Sequence, residues 1–457
     1  MTAQSTRRPS AETPFLHRLF DLLNERGLRY AVMRNYLSLP FSADGSDLDL
    51  LCSATDLGQV VNAVHEAAQN AGGTNIGIAR GTDVTKITLL GHVQGEAKGW
   101  WGLRVDLIPS FRFAGQPMLD ERWTQHTSTH GDIRVLPDGL AGVLGVIKEV
   151  LNNRVLPERY AGAARQALAT GWSDIRLLLA PMGEPALHVL EDLLGNERSP
   201  EDLARLCGRI RQAVLMHAFK QQPIATVVRA VQFQFSKLAR YANPSGLVVA
   251  ILGVDGAGKS TVIEAIRPVL NAATHNALQI RHLRPGLLPA LGRLKGASTT
   301  TAGPVIDPHG KAPSGSAMSL FRLTYLTADY LLGYWLLTRP QIAKLPNIVI
   351  FDRYAYDMAL DPRRFRVGLS PRIAGWFARL APKPDLVICL HGAPDVIARR
   401  KAELSTEETA RQIDALLAFA GETASAVPIS TDQSIEATRD EVLRSICTVL
   451  ASRRRLN

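Results

Sequence analysis

Residues 247–261 read LVVAILGVDGAGKST. The apolar run from Leu247 to Leu252 has no alternation, the pattern of a strand buried on both faces of a parallel sheet. It leads straight into Gly253-Val254-Asp255-Gly256-Ala257-Gly258-Lys259-Ser260, which satisfies G-x-x-x-x-G-K-[ST]. Glycines in such a turn let successive backbone N–H groups converge on anionic oxygens. Lys259 is placed to reach the far end of a polyphosphate, and the Ser260 hydroxyl to meet Mg²⁺. A helix opening near Thr261 turns its positive end toward the same point. Strand before and helix after are the context this motif requires.

Working outward, two more apolar runs read as strands, Asn347 to Phe351 and Asp385 to Leu390. Helical stretches separate them. Strands alternating with helices predict a doubly wound parallel sheet. Asp352-Arg353-Tyr354 follows the second strand, and the carboxyl ends of parallel strands are where such sheets hold ligands. Asp352 is suited to a metal or an acceptor, and Arg353 to an acceptor phosphate. Arg399-Arg400-Lys401 and Arg411 follow the third strand on a helical stretch, from which arginines can fold over a transferring phosphoryl group. Ser298 to Ser316, rich in Thr, Gly, Pro and Ser, is expected to be a mobile loop. Ala242-Asn243-Pro244-Ser245-Gly246 marks a boundary, so one domain is expected over 246–457.

The amino-terminal part reads differently. Phe15 to Arg26 carries apolar residues at helical spacing and stops at Gly27. Strands are expected at Leu28 to Met33, Asp47 to Cys52, Lys86 to Leu90 and Arg104 to Ile108, with a helix over Leu57 to Gln69. These make a small α/β domain over 14–138. Asp47 and Asp49 fall on one face of a strand because its side-chain period is two, and Asp106 can join from a neighbouring strand. Three converging carboxylates suit Mg²⁺ and in-line phosphoryl or nucleotidyl transfer. From 139 to 241 the pattern is helical, with segments at Ala141 to Leu151, Glu184 to Leu194 and Pro200 to Ala218, read as a bridging region.

The chain has 457 residues, too many for one ordinary core. Its charge is +10 and its pI about 9.6, which suits phosphate-bearing partners. No run of basic residues alternates with aromatics as a nucleic-acid stacking platform would. Four scattered cysteines fit a reducing compartment, and the first dozen residues read as a disordered tail, so a cytoplasmic location is expected. Ala317 to Thr338 is the most apolar stretch. Arg322 and Asp329 interrupt it, so a buried amphipathic helix is expected there and no transmembrane segment.

VAILGVDGAGKST, IVIFDRYAYD and PDLVICL with the arginine-rich stretch together resemble the thymidylate kinase family, over a little under half the chain. The resemblance implies a P-loop kinase domain using ATP and Mg²⁺. By position, residues 253–261 would hold ATP, Lys259 and Ser260 serving its phosphates and metal. Asp255 would meet the acceptor's sugar, Asp352 the metal or acceptor, and Arg353 the acceptor phosphate. Gly256 stands where some of these kinases carry Arg, which leaves that role to Arg399, Arg400 or Arg411. Where they usually carry Glu-Pro-Gly-Gly, this chain has Arg281-His282-Leu283-Arg284-Pro285-Gly286. A sugar or glycan acceptor therefore stands beside a dTMP-like nucleoside monophosphate.

Gly45-Ser46-Asp47-Leu48-Asp49 with Asp106 resembles the nucleotidyltransferase fold, with Met33-Arg34-Asn35 in place of its upstream Gly-Ser pair. Lys148, Arg154, Arg159 and Tyr160 would extend that site. The expected activity is ATP-dependent phosphoryl transfer. The alternatives are a metal-dependent nucleotidyltransferase with a regulatory P-loop domain, or a non-catalytic NTP-dependent switch. A homodimer is among the expected assemblies.

Overall fold

The structure, a computed structural model, describes residues 10–94, 99–196, 199–289, 313–400 and 405–453. Most of the expected 298–316 loop, Lys401 and the first nine residues lie outside these. The chain divides between Arg240 and Tyr241 into two compact units.

In the first unit α1 (Thr13–Glu25) precedes β1 (Tyr30–Val32), β2 (Leu48–Cys52) and α2 (Leu57–Asn70). Then come β3 (Gly73–Arg80), β4 (Thr85–Val93) and β5 (Gly99–Pro109), a small hairpin of β6 (Arg112–Phe113) and β7 (Gln116–Pro117), β8 (Ser128–His130) and β9 (Ile133–Val135). The seven-stranded sheet has the order β3-β4-β5-β2-β1-β9-β8. The β2–β5 and β1–β9 pairs are parallel; the other pairs are antiparallel. Helices follow: α3 (Asp138–Asn153), α4 (Glu158–Thr170), α5 (Trp172–Leu178), α6 (Glu184–Gly195), α7 (Pro200–Gln221) and α8 (Pro223–Ala242).

The period-two pattern of the strands gives this sheet two apolar faces. Val32, Leu50 and Cys52 pack with Phe15, Leu19 and Val64 of α1 and α2. Their strand neighbours Ala31 and Leu51 face the other way and share a core with Ile147, Leu190 and Ile210 of α3, α6 and α7. The helices of the 139–241 stretch thus complete one side of the sheet's own core. Each fully buried Leu or Ile contributes about 1.5–3 kcal/mol.

The second unit holds β10 (Leu247–Gly253), α9 (Lys259–Thr274), β11 (Gln279–His282) and α10 (Ser316–Gly333). A π-helical turn, Tyr334–Thr338, joins α10 to α11 (Arg339–Lys344). Next are β12 (Ile348–Asp352), α12 (Asp357–Leu360), α13 (Pro371–Leu380), β13 (Leu386–His391), α14 (Pro394–Arg400), α15 (Thr406–Glu422), β14 (Ala426–Ser430) and α16 (Ile435–Arg453). The sheet order is β11-β12-β10-β13-β14, and every pair is parallel. This is the doubly wound sheet that the sequence predicts. β10 lies at its centre, buried along its whole length.

The structure differs from expectation in two respects. Strands β3, β8, β9, β11 and β14 of the two sheets were not expected; all but β9, which has three residues, are sheet edges. β11, Gln-Ile-Arg-His, is only partly buried, and β14 contains Pro428, tolerated where one side needs no ladder partner. The apolar stretch 317–338 is helical, but "buried" describes only one of its faces. Leu323, Leu326 and Tyr330 enter the core, while Phe321, Leu332 and Trp335 are exposed. No helix among the described residues is long and apolar enough to cross a membrane.

Candidate functional site

The turn after β10 takes its shape from its glycines. Gly256 and Gly258 have φ of +86° and +83°, a region side chains rarely enter. The chain can therefore fold tightly enough for α9 to begin at Lys259. Here the lysine folds back onto its own loop: Nζ donates to the carbonyls of Gly253 at 2.9 Å and Val254 at 2.8 Å. Burial, and then the charge of Arg353, lowers its pKa to about 7, against the pull of Asp255, Asp352 and Asp357.

Strand pairing sets the opposite wall. Ile251 lies beside Asp352 in the parallel β10–β12 register. Burial pushes the Asp352 carboxyl upward, but a 3.1 Å contact with His282 Nδ1 and the charges of Lys259 and Arg353 bring it below its ordinary value. Its Oδ1 is buried and accepts no hydrogen bond. Ser260 opens onto the same cleft. An orphaned carboxylate oxygen and a hydroxyl are hard oxygen donors of the type Mg²⁺ takes, so these residues fit that ion.

Arg353 follows directly. Its backbone is left-handed, φ +74°, held by a 2.9 Å hydrogen bond from its N–H to Ile251 O. A buried arginine in a strained conformation is a feature of functional sites. Its guanidinium bonds Asp255 of the glycine-rich turn and lies 3.5 Å from Asp357. A second guanidinium, from Arg364, bonds the other Asp255 oxygen and stands 3.4 Å from Asp361. Asp255 is thus clamped from two sides. Burial raises the pKa of Asp357, in opposition to Arg353.

These groups line one cleft of about 1070 Å³. On its walls are Asp255, Gly256, Gly258, Lys259, Ser260, Thr261, Asp352, Arg353 and Arg400. Gly253 and Val254 lie beneath and supply carbonyls; Ala257 is buried under the turn. Arg399 is elsewhere, exposed and bonded to Asp395. Arg411 is paired with Glu408 at 2.7 Å. Sequence reasoning missed His282, Arg364 and Arg366, which also line the cleft. The Arg363-Arg364-Phe365-Arg366 cluster soon after Asp352-Arg353 was the signal available.

In the first unit, Asp47, Asp49 and Asp106 are buried, and one oxygen of each lies within 4.8 Å of the others. The β2–β5 register sets Asp49 beside Asp106. Cations surround them. Arg34 bonds Asp47 at 3.0 Å and also Asp49. Arg104 reaches Asp47 at 2.9 Å and Asp106 at 3.2 Å, and Lys86, across from Asp106 on β4, bonds it too. With Lys148 beside Asp49, four cations stand around the three carboxylates, pairing them as buried charges require. Oδ1 of Asp49 and of Asp106 accepts no hydrogen bond, although Lys148 and Arg104 stand 4.0 and 3.2 Å from them; three clustered carboxylates are the hard oxygen donors a divalent cation takes.

Lys148 stands 4.0 Å from Asp49 Oδ1, and Tyr160 accepts a 2.9 Å hydrogen bond from Arg34. Arg159 lies over the Tyr160 ring and pairs with Glu149. Arg154 ends α3 in a left-handed conformation.

No protein-family model and no curated protein matches the chain. Among solved structures it is similar to a thymidylate kinase from Ehrlichia chaffeensis, with 15% identity and a TM-score of 0.32. That alignment covers 44% of this chain and 98% of the other. It is also similar to the thymidylate kinase of Candida albicans, with 19% identity and a TM-score of 0.32 over 44% of this chain and 92% of that one.

Proposed function

We propose that the second unit transfers the γ-phosphoryl group of ATP to a small acceptor bearing a phosphate or a sugar, such as a nucleoside monophosphate or a glycan end. The observation that carries this reading is the cleft itself. Lys259 and Ser260 on one wall face Asp352, Arg353, Arg364 and Arg366 on the others. Its volume of about 1070 Å³ lies at the upper end of ligand sites, roughly 300–1,000 Å³.

In this reading the loop amides, Lys259 and Thr261 bind the triphosphate. Lys259 exchanges its loop carbonyls for phosphate oxygens. Ser260 and Asp352 would hold Mg²⁺, which supplies charge neutralisation. Arg353 and Arg364 orient the acceptor beside Asp255, and Arg400 closes on the transferring group. Rate enhancement comes from positioning and charge, with no covalent intermediate. A cytoplasmic location accords with the use of ATP and with four cysteines that are all free.

The test is an acceptor screen with γ-labelled ATP. Wild-type protein should label a phosphate or sugar acceptor, and Lys259→Ala should lower transfer on the order of 100-fold or more. ATP binding with no acceptor-dependent turnover would instead establish a nucleotide-driven switch.

A second reading is favoured by the three clustered carboxylates of the first unit: metal-dependent nucleotidyl transfer at Asp47, Asp49 and Asp106, with the P-loop regulatory. In that case Asp47→Ala with Asp49→Ala abolishes turnover and Lys259→Ala only tunes it.

A further inference from the structure

The outer faces of α10 and α13 are largely apolar and exposed; at one end the Arg339 guanidinium lies 5.2 Å from the Trp335 ring and Tyr241 packs beside it. α10 and the π-helical turn expose Leu320, Phe321, Leu332, Trp335 and Leu336; Phe321 is 52%, Trp335 49% and Leu336 60% exposed. No exposed residue from 316 to 338 is charged. On α13, Ile373, Trp376 and Leu380 fall at i, i+3 and i+7, one stripe of an amphipathic helix, and Trp376 is 59% exposed. The two helices pack together: Leu323, Leu326 and Tyr330 of α10 share a core with Ala374 and Ala378 of α13. Their exposed sides therefore both point away from that core. A contiguous apolar surface of this kind marks an interaction site.

Charge identifies the occupant. From 313 to 385 there is no glutamate. Asp329, Asp357 and Asp361 are buried, and Asp352 and Asp385 are half-buried. The exposed charges of this stretch are Lys344, Arg363, Arg372, Arg379 and Lys383, all positive. Arg372 and Arg379 bracket the Trp376 stripe on α13 itself. A second copy of the chain would bring like charges together, which is repulsive. An anionic lipid surface complements them, and exposed tryptophan beside arginine on an amphipathic helix suits the headgroup boundary. Neither helix spans a bilayer; each is suited to lie on one.

We propose that the face formed by α10, the π-helical turn and α13 docks on an anionic lipid bilayer, tryptophans inserted at the interface and arginines on the headgroups. This stands apart from the phosphoryl-transfer reading and does not need it.

The experiment is co-sedimentation of the full chain with vesicles of phosphatidylcholine alone or doped with phosphatidylglycerol. Wild type should bind the anionic vesicles, less so as salt rises, and should leave neutral vesicles largely unbound. Leu332→Glu with Trp376→Glu, and separately Arg372→Glu with Arg379→Glu, should each weaken binding by about tenfold or more. All four side chains are exposed, so melting curves should match wild type and separate lost docking from lost fold. The proposal is overturned if wild type ignores anionic vesicles, or if both pairs of substitutions bind as wild type does. It is equally overturned by a wild-type dimer that Leu332→Glu dissolves in the absence of any vesicle binding.

Discussion

Lys259 holds its proton less firmly than an ordinary lysine, because it is buried on backbone carbonyls beside Arg353. A bound triphosphate would surround Nζ with negative charge and return the pKa toward or above 10.5. Between about pH 7 and the ordinary lysine value, nucleotide binding should therefore take up a proton. Affinity should be full below pH 7 and fall as pH rises above it. Calorimetry at pH 8 in buffers of differing ionisation enthalpy measures this; proton uptake near zero would show that the lysine stays charged in the empty site. A neighbouring residue offers a second test. Arg364 clamps Asp255 beside Arg353, so Arg364→Ala should raise the acceptor KM about tenfold, about 1.4 kcal/mol, with a smaller change in kcat. An unchanged KM would remove Arg364 from the acceptor site.

At the scale of elements, every strand legible from sequence is one the fold surrounds, although the short interior strand β9 was not legible. β10, β12 and β13 have neighbours on both sides in the sheet and apolar residues at nearly every position. β3, β8, β11 and β14 sit at edges, and their sequences carry glycine, proline, charge or, in β8, only polar residues, because half of their surroundings impose nothing. The same logic reaches the carboxylates. Period two put Asp47 and Asp49 on one face, but nothing local indicated that Arg104 on β5 would bridge Asp47 and Asp106. Arg104→Met should leave those buried carboxylates short of a cation and destabilise the unit by about 3–5 kcal/mol, seen as a lower midpoint in urea. If the carboxylates bind metal, millimolar Mg²⁺ should restore part of the loss. A midpoint unchanged by the substitution would mean that Arg34 and Lys86 suffice.

At the scale of the whole molecule, each unit has its own core. One is built around the mixed sheet with α1 to α7, the other around the parallel sheet with Leu252, Phe351 and Cys389. A fragment starting at Asn243 should then unfold in one cooperative transition and bind ATP with Mg²⁺ as the full chain does. Circular dichroism melting and calorimetry read both; a fragment without a cooperative transition would show that the second core is incomplete alone. Within the first unit, the helices from 139 onward have no comparable independence, since Ile147, Leu190 and Ile210 pack on the same core as Ala31 and Leu51.

Local sequence was enough to place the glycine-rich turn after β10, the central strands of the parallel sheet and the paired aspartates, because each depends on residues close together in the chain: glycines that permit a turn, an unbroken apolar run, a period of two. Tertiary structure alone decided which cations meet which carboxylates, that His282 would reach Asp352 and Arg364 would reach Asp255, and that one side of α10 would be left uncovered. These pairs join residues from 13 to 109 positions apart. They follow from strand order and helix packing, which no short window of sequence encodes.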